Sequence, residues 1–123
     1  WVELPELKNT KNLRESVQKE EEGKRVFKQL NSQDVLVLFD EVGSQYTSKG
    51  MANFLQKRMN AGTKNLIFVI GGPYGFSDEI YKRAQYKISL SAMTFSHQMV
   101  RIFVAEQLYR AFSILNNEPY HHE

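Results

Sequence analysis

The chain has 123 residues, 41% of them apolar and 24% charged, with a formal net charge of +2 and no cysteine. It is long enough for one domain with a real core. Disulfides, thiolate nucleophiles and sulfur-based zinc sites are excluded, and so small a charge does not by itself argue nucleic-acid binding.

Trp1 to Leu4 reads as a short extended piece before Pro5, with no signal-peptide pattern. The chain begins as though inside an element, so an upstream segment is expected. Thr10 or Asn12 is placed to cap a surface helix running to about Leu30, with sparse apolar positions Leu13, Val17, Phe27 and Leu30. Lys8, Lys11, Arg14, Lys24, Arg25 and Lys28 lie in the first quarter of the chain, diluted by Glu15, Glu20, Glu21 and Glu22, which reads as a solvated face. After the turn Asn31–Asp34, the continuous run Val35–Phe39 fits a parallel strand covered on both faces, with Asp40–Ser44 as a loop at its carboxyl end. Ser48 to Ala61 is an amphipathic helix with Met51, Phe54, Leu55 and Met59 on one side, ended by Gly62.

A second strand, Leu66–Ile70, runs into Gly71-Gly72-Pro73-Tyr74-Gly75-Phe76-Ser77. Glycines at the end of a strand let backbone groups approach a ligand, and open α/β sheets bind ligands outside the carboxyl ends of their strands. The spacing is not that of the dinucleotide fingerprint, and no P-loop lysine follows. A short helix from about Asp78 to Ala84 and a short strand Lys87–Ser91 come next. The last helix, Ser96 to Leu115, is apolar on most sides, with a narrow polar strip carrying Gln98, Arg101 and Arg110. Such a helix needs two partners, its own sheet and a second protomer, which predicts a homodimer. The polar tail Asn116–Glu123 follows, with Pro119 barring further helix.

The alternation gives an α/β class with a mainly parallel sheet and helices on both faces, as a single domain over residues 1–123. No run approaches the roughly 20 apolar residues that cross a membrane. The three histidines, His97, His121 and His122, have no carboxylate at a ligating spacing, so no metal site is expected. No G-x-S-x-G elbow supports a serine nucleophile. Loops Phe39–Ser44, Gly71–Ser77 and Leu90–His97 are those able to meet at the sheet's carboxyl edge. To this point the residues give a small ligand-binding α/β domain, without the ligand.

Four segments carry a resemblance: Phe68-Val-Ile-Gly-Gly-Pro-Tyr-Gly-Phe76, Ile88-Ser-Leu-Ser-Ala-Met-Thr-Phe-Ser-His-Gln-Met99, Glu106-Gln-Leu-Tyr-Arg-Ala-Phe112 and Pro119-Tyr-His-His-Glu123. In this order they closely resemble the RlmH family of large-subunit ribosomal RNA pseudouridine N3-methyltransferases, in the SPOUT superfamily, over nearly the whole chain. The resemblance implies an α/β fold with a C-terminal trefoil knot, which sequence patterns alone would not suggest. It implies S-adenosylmethionine as cofactor, a homodimer, and a cytoplasmic enzyme acting on a pseudouridine of large-subunit ribosomal RNA in the assembled ribosome. The cofactor positions it implies are Phe39, where the family usually has leucine, Gly71 with Gly72 beside it, and the loop Leu90, Ser91, Ala92, Met93, Thr94 and Phe95. The family's first strand and helix have no counterpart here. His97, Arg110, Tyr120 and His121 are the candidates for catalytic base or positioning roles. The tail of one protomer is expected to complete the site of the other. The alternative is a non-catalytic module of the same fold that binds S-adenosylmethionine or RNA.

Overall fold

The computed structural model describes residues 15–71, 75–91 and 93–122. The stretch before residue 15, and Gly72 and Ala92 of the expected site, lie outside the described residues, as do the side chains of Glu15 and His97. The described elements are helix α1 (Glu15–Gln29), strand β1 (Val35–Gln45), helix α2 (Ser48–Asn60), strand β2 (Leu66–Ile70), helix α3 (Asp78–Arg83), strand β3 (Tyr86–Ser89) and helix α4 (His97–Leu115).

The three strands form one parallel sheet in the order β2-β1-β3. Its central strand explains the unbroken apolar run. Successive strand residues point to opposite faces, and both faces here are covered. Val37 and Phe39 pack with Met51, Phe54 and Leu55 of α2 and Val104 and Ala111 of α4. Leu36 and Leu38 pack with Val26 of α1 and with Phe76 and Ile80 beside and within α3. Leu36, Val37 and Leu38 are 0% exposed. At roughly 1.5–3 kcal/mol per fully buried aliphatic side chain, these three anchor both layers.

The expected loop Asp40–Ser44 is instead part of β1, which runs on to Gln45. Ile88 faces Phe39 in one stretch of pairing and Ser44 in the next, so Asp40 to Gly43 form a large bulge. A Cβ on Gly43 would lie 2.6 Å from the Lys87 carbonyl carbon and 2.7 Å from the Ile88 nitrogen. Only glycine lets the two backbones come so close. The bulge then delivers Tyr46, Thr47 and Ser48 beside the carboxyl end of β3. That strand starts one residue earlier than the sequence suggests and stops at Ser89, which frees Leu90 and Ser91 for the following loop.

Helix boundaries follow caps. The Thr47 hydroxyl accepts from the Gly50 amide at 3.0 Å, and Ser96 does the same for Met99 at 3.3 Å, so α4 begins one residue after its cap. At its other end α4 is stopped by Asn117 in the left-handed region (φ 57°), with its amide on the Ile114 carbonyl at 3.1 Å. The chain reverses there, two residues before Pro119. That reversal lays the tail back along α4.

Candidate cofactor cleft and C-terminal cluster

A cleft of about 390 Å³ opens at the carboxyl ends of β1 and β3, where α2 begins and α4 crosses. That volume lies within the range of small-molecule sites, roughly 300–1,000 Å³. Phe39, Ile88, Met51, Val104 and Leu108 give it apolar walls. Ser48, Ser89, Ser91 and Gln107 give it hydroxyl and amide groups, with no carboxylate and no cation among the described residues that line it. Such a lining suits a flat heteroaromatic group and a short polar chain held by hydroxyls, amides and backbone. The sulfonium and adenine of S-adenosylmethionine fit that chemistry.

The cleft gathers four of the cofactor positions implied by the sequence: Phe39, Leu90, Ser91 and Phe95. The loop bearing the last three is shaped by its own serines. The Ser89 hydroxyl donates to the Ser91 carbonyl at 2.9 Å, and the Ser91 hydroxyl accepts from the Met93 amide at 3.0 Å. Phe95 closes the loop against α4 by an edge contact with Phe103 at 5.1 Å. Met93 is 72% exposed, and neither it nor Thr94 lines the cleft. Gly71 does not line it either. A Cβ there would lie 2.9 Å from the Phe76 ring, so this glycine makes room for Phe76 beneath the end of β2.

Residues that the sequence reading passed over complete the wall: Tyr46, Thr47 and Ser48 at the start of α2, and Phe103 and Gln107 on α4. Phe103 and Gln107 share one helix face at the i, i+4 spacing, a signal present in the sequence. The α2 residues carry no such signal. The Ser48 hydroxyl donates to the Gln107 side-chain oxygen at 2.9 Å across 59 residues of chain.

A second cluster forms where the tail returns. Arg110 donates to Glu106 Oε1 from Nε at 3.0 Å and Nη2 at 2.5 Å. The Tyr120 hydroxyl donates to the same oxygen at 3.2 Å. Arg110 Nη1 lies 3.1 Å from His121 Nδ1, and its guanidinium carbon lies 4.9 Å from the Tyr120 ring centre. Tyr120 meets Tyr109 edge-on at 4.7 Å. The Glu106 hydrogen bond raises the Arg110 pKa from its ordinary value, so the guanidinium keeps its charge. Three of the four candidate catalytic residues, Arg110, Tyr120 and His121, are therefore neighbours. His97 opens the same helix, roughly 20 Å from Arg110 along its axis.

Among the described residues no group of three or more His, Asp or Glu is arranged to hold a metal ion, and no helix is long and apolar enough to cross a membrane.

Comparison with known proteins agrees with this architecture. Residues 1–121 match the family described as "Predicted SPOUT methyltransferase". A protein of Christiangramia forsetii named "Ribosomal RNA large subunit methyltransferase H" is 62% identical over 97% of this chain and 76% of its own length. Proteins of the same name from Flavobacterium johnsoniae and Cytophaga hutchinsonii are 61% and 57% identical over 98% and 99% of this chain, and 76% and 78% of theirs. A parallel α/β sheet, a cleft at its carboxyl edge and a match over almost the full chain lead to one conclusion: this chain belongs to the SPOUT methyltransferase family.

Proposed function

We propose that this protein methylates large-subunit ribosomal RNA, taking the methyl group from S-adenosylmethionine and delivering it to N3 of a pseudouridine on the assembled ribosome. The observation that carries this reading is the cleft: the loop after β3 supplies Leu90, Ser91 and Phe95 to one cavity with Phe39 of β1. The relatives named as ribosomal RNA large subunit methyltransferases are 52% to 62% identical to this chain, which supports the substrate class.

The cofactor, when bound, supplies an activated sulfonium methyl, so the protein has mainly to align donor and acceptor. Phe39, Leu90 and Phe95 offer apolar contact for adenine and the methionine chain. Ser48, Ser91 and Gln107 offer hydrogen bonds, and Gly71, Gly72, Ala92, Met93 and Thr94, which the resemblance adds to the cofactor set, belong to the same proposal. The pseudouridine N3–H is a weak acid and loses its proton to a base or to water. Arg110, held cationic by Glu106, favours the developing negative charge on the base. Tyr120, His121 and His97 are the groups that position the base or take the proton.

A homodimer built on α4 belongs to this proposal, with the tail of one protomer finishing the site of its partner. So do the trefoil knot in the C-terminal half, a cytoplasmic location and a single methyltransferase domain across the chain. With a net charge of +2, the preformed ribosomal surface rather than bulk charge supplies most of the recognition.

The test incubates the protein with radiolabelled S-adenosylmethionine and intact ribosomes that lack the modification. Label is expected in one pseudouridine of the large-subunit RNA, with much less transferred to naked RNA. Cofactor binding without any transfer would instead identify a non-catalytic binding module.

A further inference from the structure

The two clusters described above touch through one side chain. Glu106 uses Oε1 for the tail side, accepting from Arg110 and the Tyr120 hydroxyl. Its other oxygen, Oε2, accepts from Gln107 Nε2 at 3.0 Å. Gln107 Oε1 in turn accepts from the Ser48 hydroxyl at 2.9 Å. Ser48 and Gln107 line the cleft, whereas Arg110, Tyr120 and His121 do not.

The direction of this chain is fixed by chemistry. A carboxylate only accepts, so the Gln107 amide must turn its NH₂ toward Glu106. Its oxygen then faces Ser48, and the Ser48 hydroxyl spends its one proton on Gln107. What Ser48 has left for the cleft is lone pairs. It therefore receives a hydrogen bond from a ligand N–H or O–H and cannot give one to a ligand carboxylate. Glu106 and Arg110 keep 34% and 25% of their side-chain surface exposed. An ordinary exposed i, i+4 ion pair contributes little and would carry no information to the cleft.

We propose that Glu106 is a positioning residue that links the two halves of the site: it holds Arg110 and Tyr120 on the tail side and, through Gln107, makes Ser48 a hydrogen-bond acceptor for the donor groups of the cofactor. This inference rests on the methyltransferase reading above. Glutamine at position 106 has the same shape but one acceptor and one donor. With its oxygen kept on Arg110, its NH₂ would face the NH₂ of Gln107. Gln107 would then turn over and donate to Ser48, which would keep a single lone pair and turn its proton toward the cleft, against the donor groups of the cofactor. The tail and the cleft would then compete for the orientation of the Gln107 amide.

The experiment measures S-adenosylmethionine binding by calorimetry and methyl transfer to ribosomes in wild type, Glu106→Gln, Ser48→Ala and the double variant, with melting temperatures alongside. Ser48→Ala is expected to weaken cofactor binding about 5- to 10-fold, one hydrogen bond's worth. Glu106→Gln is expected to weaken binding by a similar factor and also to lower turnover at least about tenfold, through the tail. The double variant should bind the cofactor no worse than Ser48→Ala alone, since both changes act on one contact. If the two losses multiply, or if Glu106→Gln binds and turns over like wild type, the linkage is wrong. Should Glu106→Gln fail to fold, the same cycle is run with Gln107→Leu, which breaks the chain at its middle: its binding loss must not add to that of Ser48→Ala, and losses that multiply would overturn the proposal. A wild-type protein that binds no S-adenosylmethionine would overturn the methyltransferase reading itself, a different result from any of these.

Discussion

Asp40 and Tyr81 illustrate how single residues hold the edge of the sheet beside the cleft. Asp40 directly follows Phe39, and its carboxylate accepts from the Tyr81 hydroxyl with one oxygen and from the Val42 amide at 3.2 Å with the other. Tyr81 also meets Phe76 edge-on at 5.8 Å and carries Lys87 Nζ 5.4 Å from its ring centre. Burial, then the bond to Asp40, pushes the phenol up to about 12. A raised pKa means that the neutral phenol is favoured in the folded state. Its stabilisation is therefore complete below the unfolded value of about 10 and fades as pH rises from about 10 to about 12. Tyr81→Phe is expected to cost about 1–2 kcal/mol near neutral pH, a modest value for a bond to a half-exposed carboxylate. In denaturant unfolding the gap between wild type and variant should be constant from pH 7 to 9 and clearly narrower at pH 11. An equal gap at pH 11 would show that the hydroxyl bond is not the cause.

At this scale the sequence was informative where chemistry is local. Leu90, Ser91 and Phe95 stand in a segment that resembles a family, Phe39 matches a family position where leucine is usual, and all four line one cleft. Ser48 was invisible, because its meaning lies in a partner 59 residues away. Glu106 stands four residues before Arg110, a readable ion-pair spacing, yet its bond to Tyr120 depends on how the turn at Asn117 lays the tail back along the helix.

Among the elements, the strands inside the sheet were legible and their ends were not. Val35–Phe39 and Leu66–Ile70 are unbroken apolar runs, and both are strands. The extension of β1 through Asp40-Glu41-Val42-Gly43-Ser44-Gln45 is mostly polar and exposed, and its pairing with β3 supplies what side-chain burial does not. That extension is what carries Tyr46 to Ser48 into the cleft. Gly43 is its weakest point, because any side chain there meets the backbone of Lys87 and Ile88 rather than a flexible side chain. Gly43→Ala is expected to destabilise the fold by about 2 kcal/mol or more. The melting temperature should fall by on the order of 10 °C. Cofactor affinity should fall with it, even well below the melting temperature, because Ser48 moves away from Gln107. A variant with normal stability would mean that β3 yields easily and that the bulge is not what fixes this wall.

On the scale of the whole molecule, α4 divides its surface between two tasks. One side packs on α2 and the sheet through Val104, Ala111 and neighbouring apolar residues, as the two-sided pattern in the sequence required. On the other side Met99, Ile102, Tyr109 and Phe112 are exposed, Ile102 by 60%. A run of large apolar side chains along one helix face marks an association surface. Glu106 and Arg110 lie on the strip between that face and the cleft-lining Phe103 and Gln107, so a second copy seated on α4 would meet the Tyr120 and His121 cluster at the seam. This geometry is why the proposed dimer and the proposed shared site stand together. Ile102→Glu sets a charge in the middle of the face, where burying it unpaired costs several kcal/mol, while Glu106 and the cleft are left in place. The variant is expected to sediment as a monomer at micromolar concentration and to lose methyl transfer to ribosomes at least about tenfold. Its affinity for S-adenosylmethionine should stay within about threefold of wild type if one protomer holds the cofactor cleft. A variant that still dimerises would move the interface off this face. A monomer with full activity would keep the interface and remove the partner's tail from the chemistry.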